Sequence, residues 1–320
     1  MGKMSESVVL VGGGGGVYRV ARFLKNIRPN ITTIQTVFDH GRHSGSLRDE
    51  RGVLPPGDIR QAILALSDDR EESTLRRLLS FRFEKRGGSS LNGATVGNIL
   101  LTALTEIEGS LPEAINALCR LCGVRGSVLP VSLDDAELCV RLSDGSIVRR
   151  EDNIDNRSID DDRTIESAFL DPKAHIFTKA YDALLSADKI VLCPGDVYTS
   201  LVPNLLVDGF ADALLGSSAQ LIYCVNIMTK KAETHGFGIA DFVRTVSEYM
   251  GGRRIDHVIF NSQPISEGAL QSYKKERAEF VAPECSNIPY ACNLVGAPLV
   301  SEVGGVVRHH ERIASVIADL

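Results

Sequence analysis

Five consecutive glycines, Gly12–Gly16, stand between a short apolar segment and an amphipathic one. Glycine lets the backbone turn sharply and approach a phosphate with no Cβ in the way. A helix starting after them would offer free N–H groups and the positive end of its dipole to an anion. The spacing is not the dinucleotide fingerprint G-x-G-x-x-G, because Val17 and Tyr18 stand where a third glycine or alanine is needed. The run therefore predicts a phosphate-binding turn of another kind, with a merely flexible strand-to-helix turn as the alternative.

A polar segment, residues 39–50, follows the second expected strand. Asp39 falls at the carboxyl end of that strand, where doubly wound folds contact a ribose hydroxyl or a metal. Arg42 and Arg48 have the planar, two-pronged donors that suit phosphate, and Ser44 has a hydroxyl that can donate to a phosphate oxygen. The segment predicts a ligand-binding loop; the alternative is a polar surface loop.

The segment Leu54–Arg60, with the sequence LPPGDIR, combines two prolines with a glycine before an expected helix. Gly57 would allow a ligand to approach closely. Asp58 suits a helix N-cap equally well as a ligand contact. Arg60 lies in the first turn of the helix, where its charge opposes the dipole, so an anion is the more natural partner.

Three further segments combine glycine or asparagine with polar side chains at the ends of expected elements. One precedes an apolar helix, and two directly follow strands, so the latter two fall on the edge of the sheet that binds ligands in α/β folds. For the first, plain packing of a helix against the sheet is the alternative. The candidate binding residues are Asn98, Gly195, Asp196, Tyr198, Thr199, Ser200 and Asn226.

An alternating strand–helix framework must position these segments. The expected strands are Ser7–Val11, Ile31–Phe38, Val128–Val131, Lys189–Cys193, Gln220–Val225 and His257–Asn261. The expected helices are Val17–Asn26, Ile59–Ser67, Glu72–Phe81, Thr95–Ile107, Pro112–Leu121, Phe177–Ser186, Phe210–Leu215, Ile239–Met250 and His309–Ala318. Such β-loop-α-β units build parallel sheets. We expect an α/β protein with a three-layer, Rossmann-like, mostly parallel sheet.

One stretch interrupts this alternation. Asp144-Gly145 separates two short β-rich runs, Glu137–Leu142 and Ser146–Arg149, which is a strong hairpin signal. The acidic run Glu151–Arg163 is expected to be a solvated excursion. We therefore expect one domain, with a core of residues 1–127 and 164–320 and an inserted β-hairpin subdomain at residues 128–163.

The composition of the chain limits the classes of partner and the location that we expect. The formal net charge of −6 argues against nucleic acid as the main partner. No run of 18 apolar residues is present, so no membrane span is expected. The seven cysteines are dispersed through apolar segments of the sequence, which favours reduced thiols and a cytoplasmic location. Cys119 and Cys122 have C-x-x-C spacing but no second pair, so buried thiols are expected there.

The order of these motifs resembles a known family. Six motifs follow the order of the CofD-like, YvcK-like proteins. They are the glycine turn, the Asp39–Asp49 loop, LPPGDIR at Leu54–Arg60, GATVGN at Gly93–Asn98, PGDVYTSLVPNLLV at Pro194–Val207 and NIMTKKAETHG at Asn226–Gly236. That family contains gluconeogenesis factors and 2-phospho-L-lactate transferases. The resemblance covers nearly the whole chain. The sequences of Leu54–Arg60 and Asn226–Thr229 are closer to those of the gluconeogenesis factors than to those of the transferases.

The resemblance implies a regulatory protein that binds a UDP-sugar or an NAD(P)-like nucleotide, acts in carbon metabolism and cell-wall or morphogenesis control, and forms a homodimer. The alternative that it implies is a transferase that moves phospholactate to a deazaflavin, with a divalent metal such as Mg²⁺ on Asp39 and Asp58. This chain departs from the family pattern D-D-G-G-S-S-G, because His40 replaces the second aspartate and Arg42 replaces a glycine. No nucleophile–base pair stands out, so no catalytic residue is assigned.

Overall fold

A seven-stranded sheet organises the computed structural model, which describes residues 6–28, 30–41, 45, 48, 52–68, 74–84, 87 and 91–320. The described strands are β1 (Val8–Gly12), β2 (Ile31–Gln35), β3 (Ser127–Pro130), β4 (Glu137–Leu142), β5 (Ile147–Arg149), β6 (Ile165–Asp171), β7 (Lys189–Leu192), β8 (Gln220–Cys224), β9 (His257–Asn261), β10 (Asn293–Ala297), β11 (Val300–Val303) and β12 (Val306–His309). The main sheet has the order β10-β9-β8-β7-β1-β2-β3, and each neighbouring pair in it is parallel.

Helices cover this sheet. The described helices are α1 (Gly14–Leu24), α2 (Gly57–Leu66), α3 (Thr74–Ser80), α4 (Val96–Glu108), α5 (Leu111–Leu121), α6 (Glu151–Asp155), α7 (Thr178–Leu185), α8 (Val202–Leu205), α9 (Phe210–Gly216), α10 (Ile239–Glu248), α11 (Glu267–Lys274) and α12 (Arg312–Asp319), with one π-helical turn at Val197–Leu201. All five residues of β1 are buried, as expected for a parallel strand covered on both faces. The fold is therefore the predicted α/β class.

The strand order places a topological switch point between β1 and β7. From β1 the chain proceeds through β2 to β3 on one side, while β7 leads through β8 to β10 on the other. Ligands of open α/β sheets bind in the crevice that opens where the strand order reverses, at the carboxyl ends of the strands. Two of the predicted motifs follow β1 and β7 directly, so the fold brings them to this crevice.

A second, antiparallel sheet is formed by β4, β5 and β6, and the Asp144-Gly145 turn joins β4 to β5 as predicted. The predicted limits of the insertion, residues 128–163, differ from the observed ones at both ends. Residues 127–130 pair with β2 and form the edge of the main sheet. At the other end, β6 pairs with β4 and extends the small sheet to Asp171.

Most predicted elements lie within a few residues of the observed ones, with two corrections near the site. Helix α1 begins at Gly14 rather than Val17, so three of the five glycines are helical. Helix α2 begins at Gly57, with Pro56 at its N-cap, so Asp58 is not the cap of its own helix. The start of the predicted helix Glu72–Phe81 lies outside the described residues. Across the described part of the chain, no helix has the length and apolarity to cross a membrane.

Candidate functional site

The glycine turn packs directly on the loop after β7. A Cβ built on Gly16 would lie 1.5 Å from the carbonyl oxygen of Pro194, so only glycine lets the two loops cross here. Gly15 has nothing within 4 Å of its Cβ position and faces open space. The two glycines therefore have different roles. Gly16 allows the glycine turn to contact the loop after β7, and Gly15 exposes backbone at the start of α1.

Asp58 occupies the N-terminus of α1. Its carboxylate accepts a hydrogen bond from the backbone N–H of Gly14, and a Cβ on Gly13 would lie 2.5 Å from its Oδ2. Burial, followed by the negative charge of Asp39, raises the pKa of Asp58 to about 7, against the opposing effects of the Gly14 hydrogen bond and Arg60. Asp58 thus serves a helix other than its own.

An acidic cleft of about 540 Å³ opens beside Asp58. Its acidic side chains are Asp39, Asp58, Glu151, Asp152, Asp155 and Asp196, and its other lining residues include Gly14, Gly15, Gly57, Arg60, Arg82, Asn98 and Ser200. Asp39 accepts a hydrogen bond from the Gly41 N–H at 2.6 Å and is hydrogen-bonded to Glu151. Burial, the charge of Asp39 and this hydrogen bond raise the pKa of Glu151 to about 8. The acidic cleft therefore concentrates carboxyl groups that repel one another.

The donor set of the acidic cleft fits a hard divalent cation. Asp39 and Asp58 supply the oxygen ligands that Mg²⁺ prefers, and the crowding of carboxyl groups is what a cation would relieve. Asp39 and Asp58 are the side chains that would hold the ion. When bound, it would neutralise the charge of a phosphate group next to the glycine turn.

A basic cleft of about 580 Å³ lies on the other side of the glycine turn and shares Gly15 and Asp196 with the acidic cleft. Its cationic side chains are Arg19, Arg22 and Arg308, and its walls include Gly16, Tyr18, Gly195, Asn226, Met228 and Tyr273. Burial and the neighbouring charges of Arg308 and Arg22 lower the pKa of Arg19. Arginines that line one cavity together with the start of a helix can bind an anion.

Asn226 fixes the rim of the basic cleft. Its Oδ1 accepts a hydrogen bond from the Gly195 N–H at 3.0 Å, and its Nδ2 donates to the Gly195 carbonyl oxygen at 2.7 Å. Gly195 has a φ of +152°, which only glycine adopts readily. The loop after β7 is thereby held in the shape that faces α1.

Lys230 links the insertion to the main domain. Its ammonium group contacts the carboxylates of Asp155 and Asp196, the latter at 2.7 Å, and lies 3.6 Å from that of Glu233. These three acids have the proximity of a metal site, but the lysine already supplies a positive charge among them. Lys230 therefore acts as an internal counterion between α6 and the loop after β7.

Two predicted residues of the loop after β7 face inward. The backbone N–H of Tyr198 and the hydroxyl of Thr199 both donate to the buried Glu233, each at 2.7 Å. Neither lines the acidic or the basic cleft. Their contacts shape the loop, whereas Gly195, Asp196 and Ser200 reach the clefts.

Arg48, a predicted site residue of the 39–50 segment, and its neighbour in the segment His40 lie elsewhere. Arg48 is buried, pairs with the Asp135 carboxylate and donates to the Ala136 carbonyl oxygen at 2.8 Å. His40 is buried with its Nδ1 3.1 Å from the Phe38 carbonyl oxygen, and burial, followed by Arg48 and Arg150, lowers its pKa. Neither lines a cleft. Arg42 and Ser44 lie outside the described residues.

Gly12 and Gly13 lie beneath the site. A Cβ on Gly12 would lie 3.1 Å from Val17 Cγ2, and Gly13 packs on Asp58 and Thr36. Cys119 and Cys122 are free thiols whose pKa values burial raises, to about 12 and about 11, which disfavours their thiolate forms.

Sequence reasoning missed Glu151, Arg19, Arg22 and Arg308. The i, i+3 spacing of Arg19 and Arg22 on the helix that follows the glycines was a readable signal of a basic face. Glu151 lies in an acidic run expected to be solvated, and its preceding residue, Arg150, has a φ of +74° that no sequence pattern indicates. Arg308 has no local signal, because only the fold brings β12 to α1.

The fold and clefts define a class of protein: an α/β protein with a switch-point site between the glycine turn and the loop after β7. Comparison with known proteins narrows the class. The sequence model of the family described as 2-phospho-L-lactate transferase CofD matches residues 8–300. The chain therefore belongs to the CofD family.

Relatives within this family carry the gluconeogenesis-factor name. The chain is 40% identical over 282 residues to a putative gluconeogenesis factor of Thermotoga maritima, covering 88% of this chain and 87% of that protein. It is 35% identical over 307 residues to the gluconeogenesis factor of Halalkalibacterium halodurans, covering 95% and 93%. A crystal structure of a UPF0052 family member from Bacillus halodurans superimposes with a TM-score of 0.91 at 34% identity, covering 98% of this chain and 99% of that one.

Proposed function

We propose that this protein binds a nucleotide, as a UDP-sugar or an NAD(P)-like dinucleotide, and acts as a regulator of the gluconeogenesis-factor type. The observation that carries the proposal is the basic cleft, where Arg19 and Arg22 of α1 and Arg308 of β12 line one cavity together with Gly15 and Gly16. Three guanidinium groups and free backbone N–H groups match the charge and donor needs of a diphosphate. The diphosphate would lie against Gly15 and Gly16.

The walls of the basic cleft suit the rest of such a ligand. Tyr18, Tyr273 and Met228 offer ring faces and a polarisable thioether, on which a base or sugar can pack. Because the two clefts share Gly15 and Asp196, a diphosphate in the basic cleft would lie next to the acidic cleft, and Mg²⁺ held by Asp39 and Asp58 would adjoin it. A ligand of this kind is a nucleoside diphosphate with a sugar or a second nucleoside attached to its diphosphate.

The regulatory role rests on the relatives. Their names connect this family branch with gluconeogenesis. We extend this to control of carbon metabolism and cell-wall or morphogenesis supply, in the cytoplasm, where the seven free cysteines would stay reduced. Deletion of the gene should impair growth on gluconeogenic carbon sources or alter cell shape; normal growth and shape on every carbon source would remove this part of the proposal.

Binding is tested by thermal shift against UDP, UDP-glucose, NAD⁺, NADP⁺ and GDP, each with and without Mg²⁺. A ligand that binds only the native state raises the melting temperature by linkage. Asp39→Ala should lose the Mg²⁺-dependent part of the shift, and Cys119→Ala should retain it. The absence of a shift with every nucleotide would overturn the proposal.

A second function is favoured by one observation, the acidic cleft beside the basic one. A cation-binding cleft next to a nucleotide is also the arrangement that a transferase of the CofD type needs, because such transfer depends mostly on positioning and charge. Incubation with a guanylyl-linked phospholactate donor, a deazaflavin and Mg²⁺, followed by mass spectrometry, separates the two. A phospholactyl-deazaflavin product would establish the transferase, and unchanged deazaflavin would leave the regulatory function.

A further inference from the structure

Two arginines lie in the acidic cleft among its carboxyl groups. Arg60 projects from α2 and is 9% exposed, while Arg82 lies between α3 and α4 and is exposed to solvent. Arg60 Nε donates to Asn98 Oδ1 at 2.8 Å, and its Nη1 lies 3.4 Å from the Leu79 carbonyl oxygen. Arg82 Nη1 donates to the Gly93 carbonyl oxygen at 2.6 Å. Both side chains are thus fixed on one side of the guanidinium group.

Neither Arg60 nor Arg82 is directly paired with an acidic side chain in the described part of the chain, and Nη2 of each donates no hydrogen bond to the described residues. The positive charge of Arg82 acts on Arg60 in this cleft, and the negative charge of Asp58 opposes it. A mostly buried guanidinium beside a second one is unfavourable unless an anion joins them.

The surrounding backbone is shaped to hold Arg60 in this place. A Cβ on Gly97 would lie 2.6 Å from Arg60 Cδ and 2.6 Å from the Leu79 carbonyl oxygen. Glycine at this position of α4 therefore lets the Arg60 side chain run between α4 and the end of α3. Asn98, the next residue, orients the guanidinium group by accepting from Nε.

We propose that Arg60 and Arg82 form an anion subsite that binds the oxyacid group, phosphate or carboxylate, of a second ligand in the acidic cleft. The Nη2 groups of the two arginines supply N–H donors that such a group accepts. Asn98 is a positioning residue for Arg60. The subsite is separate from the proposed nucleotide cleft, since the two clefts share only Gly15 and Asp196 among their lining residues.

The test measures inorganic phosphate binding to the full chain by isothermal titration calorimetry without nucleotide. It uses an Arg308→Gln background, which weakens phosphate binding in the basic cleft, and it assigns to the subsite only the binding that Arg82→Gln reduces. Arg82→Gln is then added, because Arg82 is exposed and its loss should leave the fold intact. Arg141→Gln is the matched control, since Arg141 is also exposed and also donates to a glycine carbonyl oxygen, that of Gly145.

We expect phosphate to bind the Arg308→Gln protein in the millimolar range or tighter. Arg82→Gln should weaken this binding about tenfold, as for the loss of one charge-assisted hydrogen bond, and Arg141→Gln should leave it unchanged. Asn98→Ala should also weaken it, through loss of the Arg60 orientation. Titration with acetate distinguishes the source of the oxyacid group: the anion that binds more tightly identifies phosphate or carboxylate as the natural partner.

The proposal is overturned if neither phosphate nor acetate binds in the Arg308→Gln background. It is equally overturned if Arg82→Gln and Arg60→Lys both bind these anions as tightly as the parent. Because these titrations contain no nucleotide, their failure would leave the proposed nucleotide function standing.

Discussion

The carboxyl groups of Asp39 and Glu151 are hydrogen-bonded to each other across the boundary between the main domain and the inserted sheet. Asp39 follows β2, and Glu151 opens α6 after the small sheet. Burial, the charge of Asp39 and this hydrogen bond raise the pKa of Glu151, so a proton on Glu151 or a cation between the two groups is favoured. The insertion is therefore part of the candidate site.

Replacing Glu151 by glutamine should stabilise the cation-free protein under alkaline conditions. The pKa of Glu151 is raised from 4.5 to about 8, so the stability linked to this proton is complete below the unfolded pKa of 4.5 and is lost as the pH rises through about 8. The amide of Glu151→Gln still donates to Asp39 but carries no charge. We expect the melting temperature of the variant, followed by circular dichroism, to fall less between weakly acidic and alkaline pH than that of the wild type. Asp152→Asn on the same helix is the control, and equal pH profiles for Glu151→Gln and the wild type would contradict the prediction.

Magnesium should stabilise the protein through Asp39. A ligand at a hundredfold excess over its Kd adds about 2.7 kcal/mol to the free energy of unfolding. We expect Mg²⁺ to raise the melting temperature of the wild type and of Asp182→Asn, whose side chain is exposed on α7, but not that of Asp39→Asn. An equal rise in all three proteins would exclude Asp39 as a ligand.

Adjacent glycines should respond differently to alanine. Gly16→Ala places a methyl group on the Pro194 carbonyl oxygen and should lower the free energy of unfolding by more than about 2 kcal/mol. Gly15→Ala meets no atom within 4 Å and should change stability by less than about 1 kcal/mol. Because Gly15 lines both clefts, its variant should nevertheless weaken nucleotide binding. Urea denaturation with a parallel binding titration checks both halves, and a Gly15→Ala protein with wild-type affinity would remove Gly15 from the ligand contact.

His309 should make the protein sensitive to acid. It is buried, its ring Nε2 lies 3.2 Å from the Val225 carbonyl oxygen, and burial lowers its pKa from 6.5 to about 4. The stability linked to the neutral ring is complete above the unfolded pKa of 6.5 and is lost as the pH falls towards about 4, with a slope approaching 1.4 kcal/mol per pH unit. Denaturant unfolding of His309→Gln should show a shallower loss over this range than the exposed control His235→Gln. Parallel profiles for the two variants would contradict it.

The sequence predicts the parts of the site that are local. The glycine run, the loop after β7 and Asn226 each directly follow a parallel strand, and strands of a parallel sheet end at one edge. Their convergence thus follows from the strand–helix alternation. The class of fold follows from the same alternation, together with the β-branched composition of the strands.

The other features of the site depend on contacts between residues far apart in the sequence, which no short segment indicates. Asp58 has the position of an N-cap for its own helix, yet it binds the N–H of Gly14 because α2 packs on α1. Arg48 has a guanidinium group that could bind phosphate, yet this group forms an ion pair with Asp135 on a neighbouring segment. Arg308 reaches the glycine turn only because β12 lies beside it in the folded chain.

The central claim, a nucleotide in the basic cleft, is tested most directly by calorimetric titration of UDP-glucose and NAD⁺ into the wild type, Arg308→Gln and Arg312→Gln. Arg308 lines the basic cleft, whereas Arg312 is exposed at the start of α12 and does not. We predict that at least one of these ligands binds the wild type and Arg312→Gln equally well and binds Arg308→Gln at least about tenfold more weakly, through the loss of a charge-assisted hydrogen bond to phosphate. Equal affinity of all three proteins for the ligand that binds would contradict the account.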